Sequence, residues 1–405
     1  MPEAVIVATA RSPIGRAFKG SLRGMRPDDL TVRMVRAALA QVPQLDTRDI
    51  NDLMLGCGQQ SGVSGFNLAR IVAVLAGLDN VPGTTVNRFC SSSLQTTRMA
   101  LHAIRSGEGD VFVSAGVETV SQYVREHDDV RPDTVNPAFA AAQERTDAFA
   151  QGGLVWADPR AAGVLPDIYI TMGQTAENVA QLHRIGREEQ DAFAVRSQNL
   201  AEKAIADGFW AGDITPVTLP DGTVVTQDDG PRAGVTTEAV AALKPVFRPD
   251  GTVTAGNCCS LNDGAAALVI MSDVKARQLG ITPLARIVST GLTGLSPEIM
   301  GLGPVEASRQ ALANAGMTMD DIDLLEINEA FAAQVIPSAR ELGIDEDRLN
   351  VNGGAIAVGH PFGMTGARIT STLINSLRHH DKQVGLETMC VGGGQGMAMI
   401  IERLG

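Results

Sequence analysis

Residues 82–118 read PGTTVNRFCSSSLQTTRMALHAIRSGEGDVFVSAGVE. PGTTVNRF has the composition of a strand. SSSLQTTRMALHAIRSG, at 91–107, spaces its apolar residues three and four apart and stops on a glycine, as a helix does. DVFVSAGVE, at 110–118, is a strand again, apolar along its length instead of alternating. Such a strand is buried on both faces, and strand–helix–strand order with strands of this kind predicts a mostly parallel sheet in an α/β domain.

The pattern extends toward the N-terminus. AVIVATA (4–10) and DLMLGCG (52–58) read as strands; DDLTVRMVRAALAQV (28–42), with Asp28 and Asp29 at its start, and LARIVAVLAGL (68–78) read as helices. From about 121 to 250 the texture changes. The polar loop REHDDVRPDTVNP (125–137) leads to a stretch over 172–208 that is helical in two pieces divided at Gly186, closed by the turn-rich KPVFRPDG (244–251). Then the first pattern returns: strands in AALVIMS, PLARIVSTGL and DIDLLEIN, helices in PVEASRQALANAG, EAFAAQVIPSARELG and TGARITSTLINSLRHH, and a closing hairpin over 384–405. DINDLMLGCG and DIDLLEINEA hold comparable places in the two series, as do VNRFCSSS and VNGGAIAV, which implies two packed halves of similar fold. The expected organisation is one half over 1–120 completed by 251–272, an insertion over 121–250, and a second half over 273–405.

The 405 residues carry a formal net charge of −13, which argues against non-specific binding to nucleic acid or to an anionic membrane surface. The N-terminal MPEAVIVATARSPIG has no basic leader followed by an apolar core, and no apolar run is long enough to span a bilayer, so a cytoplasmic protein is expected. Five cysteines, none in a C-x-x-C pair, make neither a disulfide framework nor a zinc site; no metal is expected.

The chemistry then rests on single residues. Cys90 stands at a strand end just before a helix, whose N-terminal N–H groups favour a thiolate; a small buried core residue is the other reading. Cys390, between an apolar strand and three glycines, carries the same two readings. His360 is boxed between Gly359 and Pro361, the most constrained of six histidines and suited to take a proton from a thiol. Asn328 and Glu329 end the DLLEIN strand, where ligands of parallel sheets are met. The clusters GHPFG, CVGGGQG and NGGA read as turns or as backbone open to a ligand; no Walker A or dinucleotide fingerprint is present.

Taken in order, VIVATARSPIG, VNRFCSSSLQ, GDVFVSAGVE, MGQTAENVA, LNDGAAAL, NEAFA, GGAIAVGHPFGMTGARI and CVGGGQGMA resemble the thiolase family (acetyl-CoA acyltransferases) over nearly the whole chain. The resemblance implies a five-layered αβαβα fold of two similar halves, with a loop domain in the first that covers coenzyme A. It implies 3-ketoacyl-CoA cleavage or its reverse; a degradative, beta-oxidation type is the preferred reading, with an acetoacetyl-CoA-specific biosynthetic thiolase as the alternative. Cys90 becomes the nucleophile, His360 its activator, Cys390 the acid and base at the substrate α-carbon, and Asn328 the holder of an enolate-binding water. The backbone N–H groups of Cys90 and Gly392 become a second oxyanion site. Coenzyme A and acyl-CoA enter as substrates, with no permanently bound cofactor. A homodimer or homotetramer, and association with a hydratase/dehydrogenase subunit, are further implications. Met172 and Met300 match positions lining the acyl or pantetheine region. Cys259, with Ser260 beside it, stands where relatives place a small hydroxyl residue. The insertion holds His183, Arg184, Arg187, Arg232, Lys244 and Arg248 as possible neighbours of the coenzyme phosphates.

Overall fold

The computed structural model describes residues 1–123 and 134–405, so the polar loop expected at 125–137 lies largely outside the described residues. The first half runs β1 (Ala4–Arg11), α1 (Pro27–Leu39), β2 (Asp52–Gly56), α2 (Leu68–Ala76), β3 (Gly83–Val86), α3 (Ser92–Ser106) and β4 (Val111–Thr119). A largely helical segment follows, with α4 (Met172–His183) and α5 (Arg187–Ala206) as its longest described elements, before β5 (Asn262–Ser272). The second half comprises β6 (Ala285–Gly294), α6 (Gly303–Ala315), β7 (Leu324–Ile327), α7 (Ala332–Leu342), α8 (Phe362–His379), β8 (Val384–Val391) and β9 (Gln395–Arg403).

Strand order makes the duplication explicit. It runs β3-β2-β4-β5-β1 in the first half and β7-β8-β9-β6 in the second, and a parallel bridge between Leu325 and Leu349 marks where the second half's counterpart of β3 is reduced to one residue pair. Both halves therefore share one order, third-second-fourth-fifth-first. Val5 and Ile6 pair with Arg286 and Ala285, joining the two sheets edge to edge.

The sheet is mixed, which corrects the mostly parallel expectation. β2 is parallel to β3 and β4, and β7 to β8, but the fifth strand of each half, β5 or β9, is antiparallel to both its neighbours. The sequence pattern could not separate the cases, because β5 is buried at every position and its stretch 265–271 reads as an apolar run whichever way it points.

Period-two burial sorts the strands' side chains into layers. On β5, Leu268 and Ile270 face a central core shared with Leu94, Leu101 and Ile104 of α3 and Met364, Ala367 and Leu373 of α8. Val269 and Met271 face the opposite way, onto Leu30 and Met34 of α1 and Val72 of α2. Beyond the second sheet, Ala398 and Ile400 of β9 meet Val305 of α6 and Val335 of α7. The layers are thus α1/α2, sheet, α3/α8, sheet, α6/α7, the expected five. The central helices approach so closely that a Cβ at Gly366 would lie 2.2 Å from the Leu94 nitrogen. Among the described residues no helix is long and apolar enough to cross a membrane.

Candidate active site

Each half ends a connection at the N-terminus of its central helix, and two of the predicted site residues occupy equivalent places there. Cys90 lies two residues before α3, in the single tight turn Phe89–Ser91; His360 lies two residues before α8. Phe89 takes a left-handed backbone conformation (φ 44°), sparsely allowed for an aromatic residue and characteristic of functional turns. Neighbours hold it there. Its N–H donates to Asn87 Oδ1 at 2.8 Å, and Ser92 Oγ donates to its carbonyl at 2.6 Å. This turn packs against both the start of α8 and strand β8, which carries Cys390.

Cys90 is buried, and its sulfur receives the backbone N–H of Gly392. Burial pushes the thiol up to about 11, the Gly392 N–H opposes that rise, and the buried Glu118 carboxylate adds to it. The helix N-terminus does not produce the resting thiolate that the sequence suggested, because desolvation outweighs it. Cys390 is fully buried among Met300, Ala330 and Phe331, with Met172, Cys258 and Cys259 on the margin of the same cluster. Burial raises its thiol, and the nearby Cys90 sulfur raises it further. The two thiols, three hundred residues apart in sequence, therefore share one electrostatic site.

His360 is also buried. Its backbone N–H donates to Asn262 Oδ1 at 2.9 Å, its Nδ1 lies 2.6 Å from Thr365 Oγ1, and its ring meets Phe362 edge-on at 5.2 Å. Burial, then the charge of Arg368, pushes the imidazole down to about 3, so it is neutral at physiological pH and can accept a proton. Among the described residues its Nε2 has no hydrogen-bond partner, nor does either polar atom of the buried Asn328 side chain. Unpaired polar atoms at such depth are costly unless a site needs them. Glu329, by contrast, is committed to structure: it accepts from Ser197 Oγ (2.6 Å), Asn350 Nδ2 (2.8 Å) and the Ile356 N–H (3.1 Å), tying α5 to the loop before His360.

Several positioning residues escaped the sequence analysis. Glu118, at the end of β4, accepts from the N–H groups of Gly58 (2.8 Å), Gln59 (3.2 Å) and Gly363 (2.9 Å) and from Tyr123 Oη (2.5 Å), clamping α8 beside the Cys90 turn. Arg88 donates to Gln395 Oε1 at 2.7 Å, and Gln395 Nε2 donates to the Gly392 carbonyl at 3.2 Å, which registers the glycine turn against Cys90. A lone carboxylate at the end of an otherwise apolar strand was the available signal for Glu118; Arg88 and Gln395 are too far apart in sequence to suggest each other.

The remaining predicted residues divide. Ser260 Oγ lies 3.2 Å from Asn262 Oδ1, and the Cys259 N–H donates to the Ala330 carbonyl at 3.0 Å. The Cys259 thiol is electrostatically coupled to both Cys90 and Cys390, so the segment belongs to the site's wall. Arg184, Arg232 and Lys244 are exposed and form no ion pair among the described residues, whereas His183 lies 3.8 Å from Glu341. Two cations of the insertion are structural instead. Arg248 is buried and donates to Gln174 and Asn178, and Arg187 pairs with Asp191 and donates to the carbonyls of Val240, Ala241 and Leu243. No cluster of three or more His, Cys, Asp or Glu side chains that could hold a metal occurs among the described residues.

Two coupled thiols, a neutral imidazole and an unpaired buried amide are the kinds of group that acyl transfer with carbon-acid chemistry requires. Comparison with known proteins gives this arrangement its context. Residues 4–274 match the thiolase N-terminal domain model and 281–403 the thiolase C-terminal domain model. The chain is 42% identical to a 3-ketoacyl-CoA thiolase of Bacillus subtilis (99% of this chain, 100% of that protein) and 42% identical to a beta-ketoadipyl-CoA thiolase of Escherichia coli (100% of each). A crystal structure of the Bacillus anthracis acetyl-CoA acetyltransferase superposes with TM-score 0.87 at 39% identity, covering 100% of this chain and 99% of that one. By fold, length and sequence the chain belongs to the thiolase family, enzymes that make and break carbon–carbon bonds between coenzyme A thioesters.

Proposed function

We propose that the protein is a 3-ketoacyl-CoA thiolase that works in the degradative direction, with Cys90 as nucleophile. The observation that carries this reading is the coupling of two buried thiols, Cys90 and Cys390, with the Gly392 N–H directed at the first. Cys90 Sγ attacks the 3-keto carbon as its proton passes to His360 Nε2, and the N–H groups of Cys90 and Gly392 receive the developing oxyanion. The C2–C3 bond breaks, its electron pair forming the enolate of acetyl-CoA, whose oxygen is met by His360 and by a water held on Asn328. Cys390 gives its proton to C2. After acetyl-CoA leaves, the thiol of coenzyme A returns a proton to Cys390 and attacks the Cys90 thioester; Cys90 leaves and recovers its proton from His360. A neutral resting thiol and imidazole suit this sequence, since the proton moves with the attack instead of beforehand.

Phe89 and Ile168 flank the glycine turn, each about van der Waals distance from a Cβ position at Gly393, and with Met172 and Met300 they supply an apolar lining for an acyl chain. His183, Arg184, Arg232 and Lys244 are the proposed neighbours of the coenzyme phosphates. The partly exposed edge strand β3 and the outward Phe66 support assembly with a second copy, as homodimer or homotetramer; a hydratase/dehydrogenase subunit is a further possible partner. A second reading, an acetoacetyl-CoA-specific enzyme, is favoured by the likeness to the acetyl-CoA acetyltransferase. A kcat/KM series with 3-ketoacyl-CoA substrates from four carbons upward tests the choice, because each buried methylene contributes up to about 0.8 kcal/mol. Rising values support the degradative reading; a steep fall beyond four carbons overturns it.

A further inference from the structure

Thr365, in the first turn of α8, is fully buried with its hydroxyl between two groups: Oγ1 lies 2.7 Å from the Pro361 carbonyl oxygen and 2.6 Å from His360 Nδ1. A carbonyl only accepts, and a hydroxyl has one proton. Two oxygens 2.7 Å apart in a dry interior need that proton between them, so Thr365 donates to Pro361, the usual back-bond of a helical threonine to the residue four before it. The lone pairs of Oγ1 then face Nδ1, and Nδ1 must carry the imidazole proton. In a neutral ring this leaves Nε2 as a bare lone pair, at the one ring atom without a partner among the described residues. The opposite tautomer would oppose two unprotonated oxygens and bury an N–H at Nε2 with no acceptor. The residue's backbone is fixed as well: the His360 backbone N–H donates to Asn262 Oδ1, and Asn262 Nδ2 donates to the Gly15 carbonyl at 3.1 Å.

We propose that Thr365 is a positioning residue that sets the tautomer of His360, keeping the proton on Nδ1 so that Nε2 is ready to accept the Cys90 proton. This rests on the reading of His360 as the base. Serine at 365 preserves the donor–acceptor relay, whereas valine preserves shape and removes it.

The test uses the full-length protein labelled with 15N-histidine, with the His360 resonances assigned by their loss in His360→Asn. The wild type and Thr365→Ser should show protonated Nδ1 and unprotonated Nε2, while Thr365→Val should show the proton redistributed toward Nε2. The same Thr365→Val enzyme should lose roughly 100-fold in kcat with KM within about threefold, and Thr365→Ser should retain most of kcat. An Nε2–H tautomer in the wild type, or a Thr365→Val enzyme with unchanged tautomer and kcat, overturns the proposal. Should the valine variant fail to fold, the wild-type and serine spectra still decide. If the tautomer is as stated but His360→Asn retains full cleavage activity, the role of His360 as base falls while the tautomer assignment stands.

Discussion

The two halves share one strand order yet close it in opposite ways. In the first half the antiparallel pair β4–β5 is joined through residues 120–261; in the second, β8–β9 is joined by the turn Gly392–Gly394. The long connection supplies α4, α5 and the apolar wall with Ile168 and Met172. The short one presents a bare backbone N–H to Cys90, and its two left-handed glycines, Gly393 and Gly394, are what permit so tight a turn. The central helices differ in the same spirit, one N-terminus carrying a thiol and the other an imidazole. A duplicated scaffold thus builds an asymmetric site because each copy specialises its loops and keeps its core.

The sharpest way to break this comparison is to exchange the thiols' fates. Cys90→Ala should lower kcat/KM for cleavage by roughly 10⁴-fold and abolish acylation by labelled acetyl-CoA; Cys390→Ala should lower cleavage by roughly 10³-fold while Cys90 still becomes labelled. Equal loss of label in both variants would make the thiols one unit instead of two. Asn328→Ala should cost about 10²-fold in kcat, read by steady-state kinetics, if the unpaired amide serves the enolate.

Stability probes the shared core. Gly366→Ala forces a Cβ onto Leu94 backbone in the central layer and should destabilise by about 2–3 kcal/mol in denaturant titration. The acid limb tests His360. Its folded value lies near 3 and its unfolded value near the ordinary 6.5, so between these the unfolded chain binds more protons. Stability from this residue is therefore complete above pH 6.5 and is lost as pH falls toward 3. His360→Asn should flatten that decline by up to about 1.4 kcal/mol per pH unit, and an unchanged slope would mean the imidazole is not desolvated. The smallest effect is expected in the insertion. Gly212, in the short helix Phe209–Asp213, has open space at its Cβ position, and Gly212→Ala should stabilise by about 0.5 kcal/mol.

Much of this was legible along the chain. Helix and strand periodicity located nearly every element of the halves, Gly186 does separate α4 from α5, and the glycine-boxed histidine and the cysteine before α3 stood out by local constraint. Strand direction was not legible, since β5 and β9 are buried on both faces and burial erases the cue. Nor was the charge state of Cys90: the helix N-terminus is a local feature visible in sequence, whereas the desolvation that overrides it comes from residues of both halves.

The amino-acid sequence by itself determined the α/β class and the repeat, because these follow from periodicity and turn chemistry; Cys90, His360, Cys390 and Asn328 were nominated as reactive residues by the resemblance to the thiolase family, not by local spacing. Only the tertiary structure decided that Arg248 and Arg187 serve the scaffold, that Glu118 and Thr365 orient the site, and that thiol and imidazole rest uncharged. Those outcomes depend on solvent exclusion and on hydrogen bonds between segments hundreds of residues apart, and neither quantity exists until the chain has closed around them.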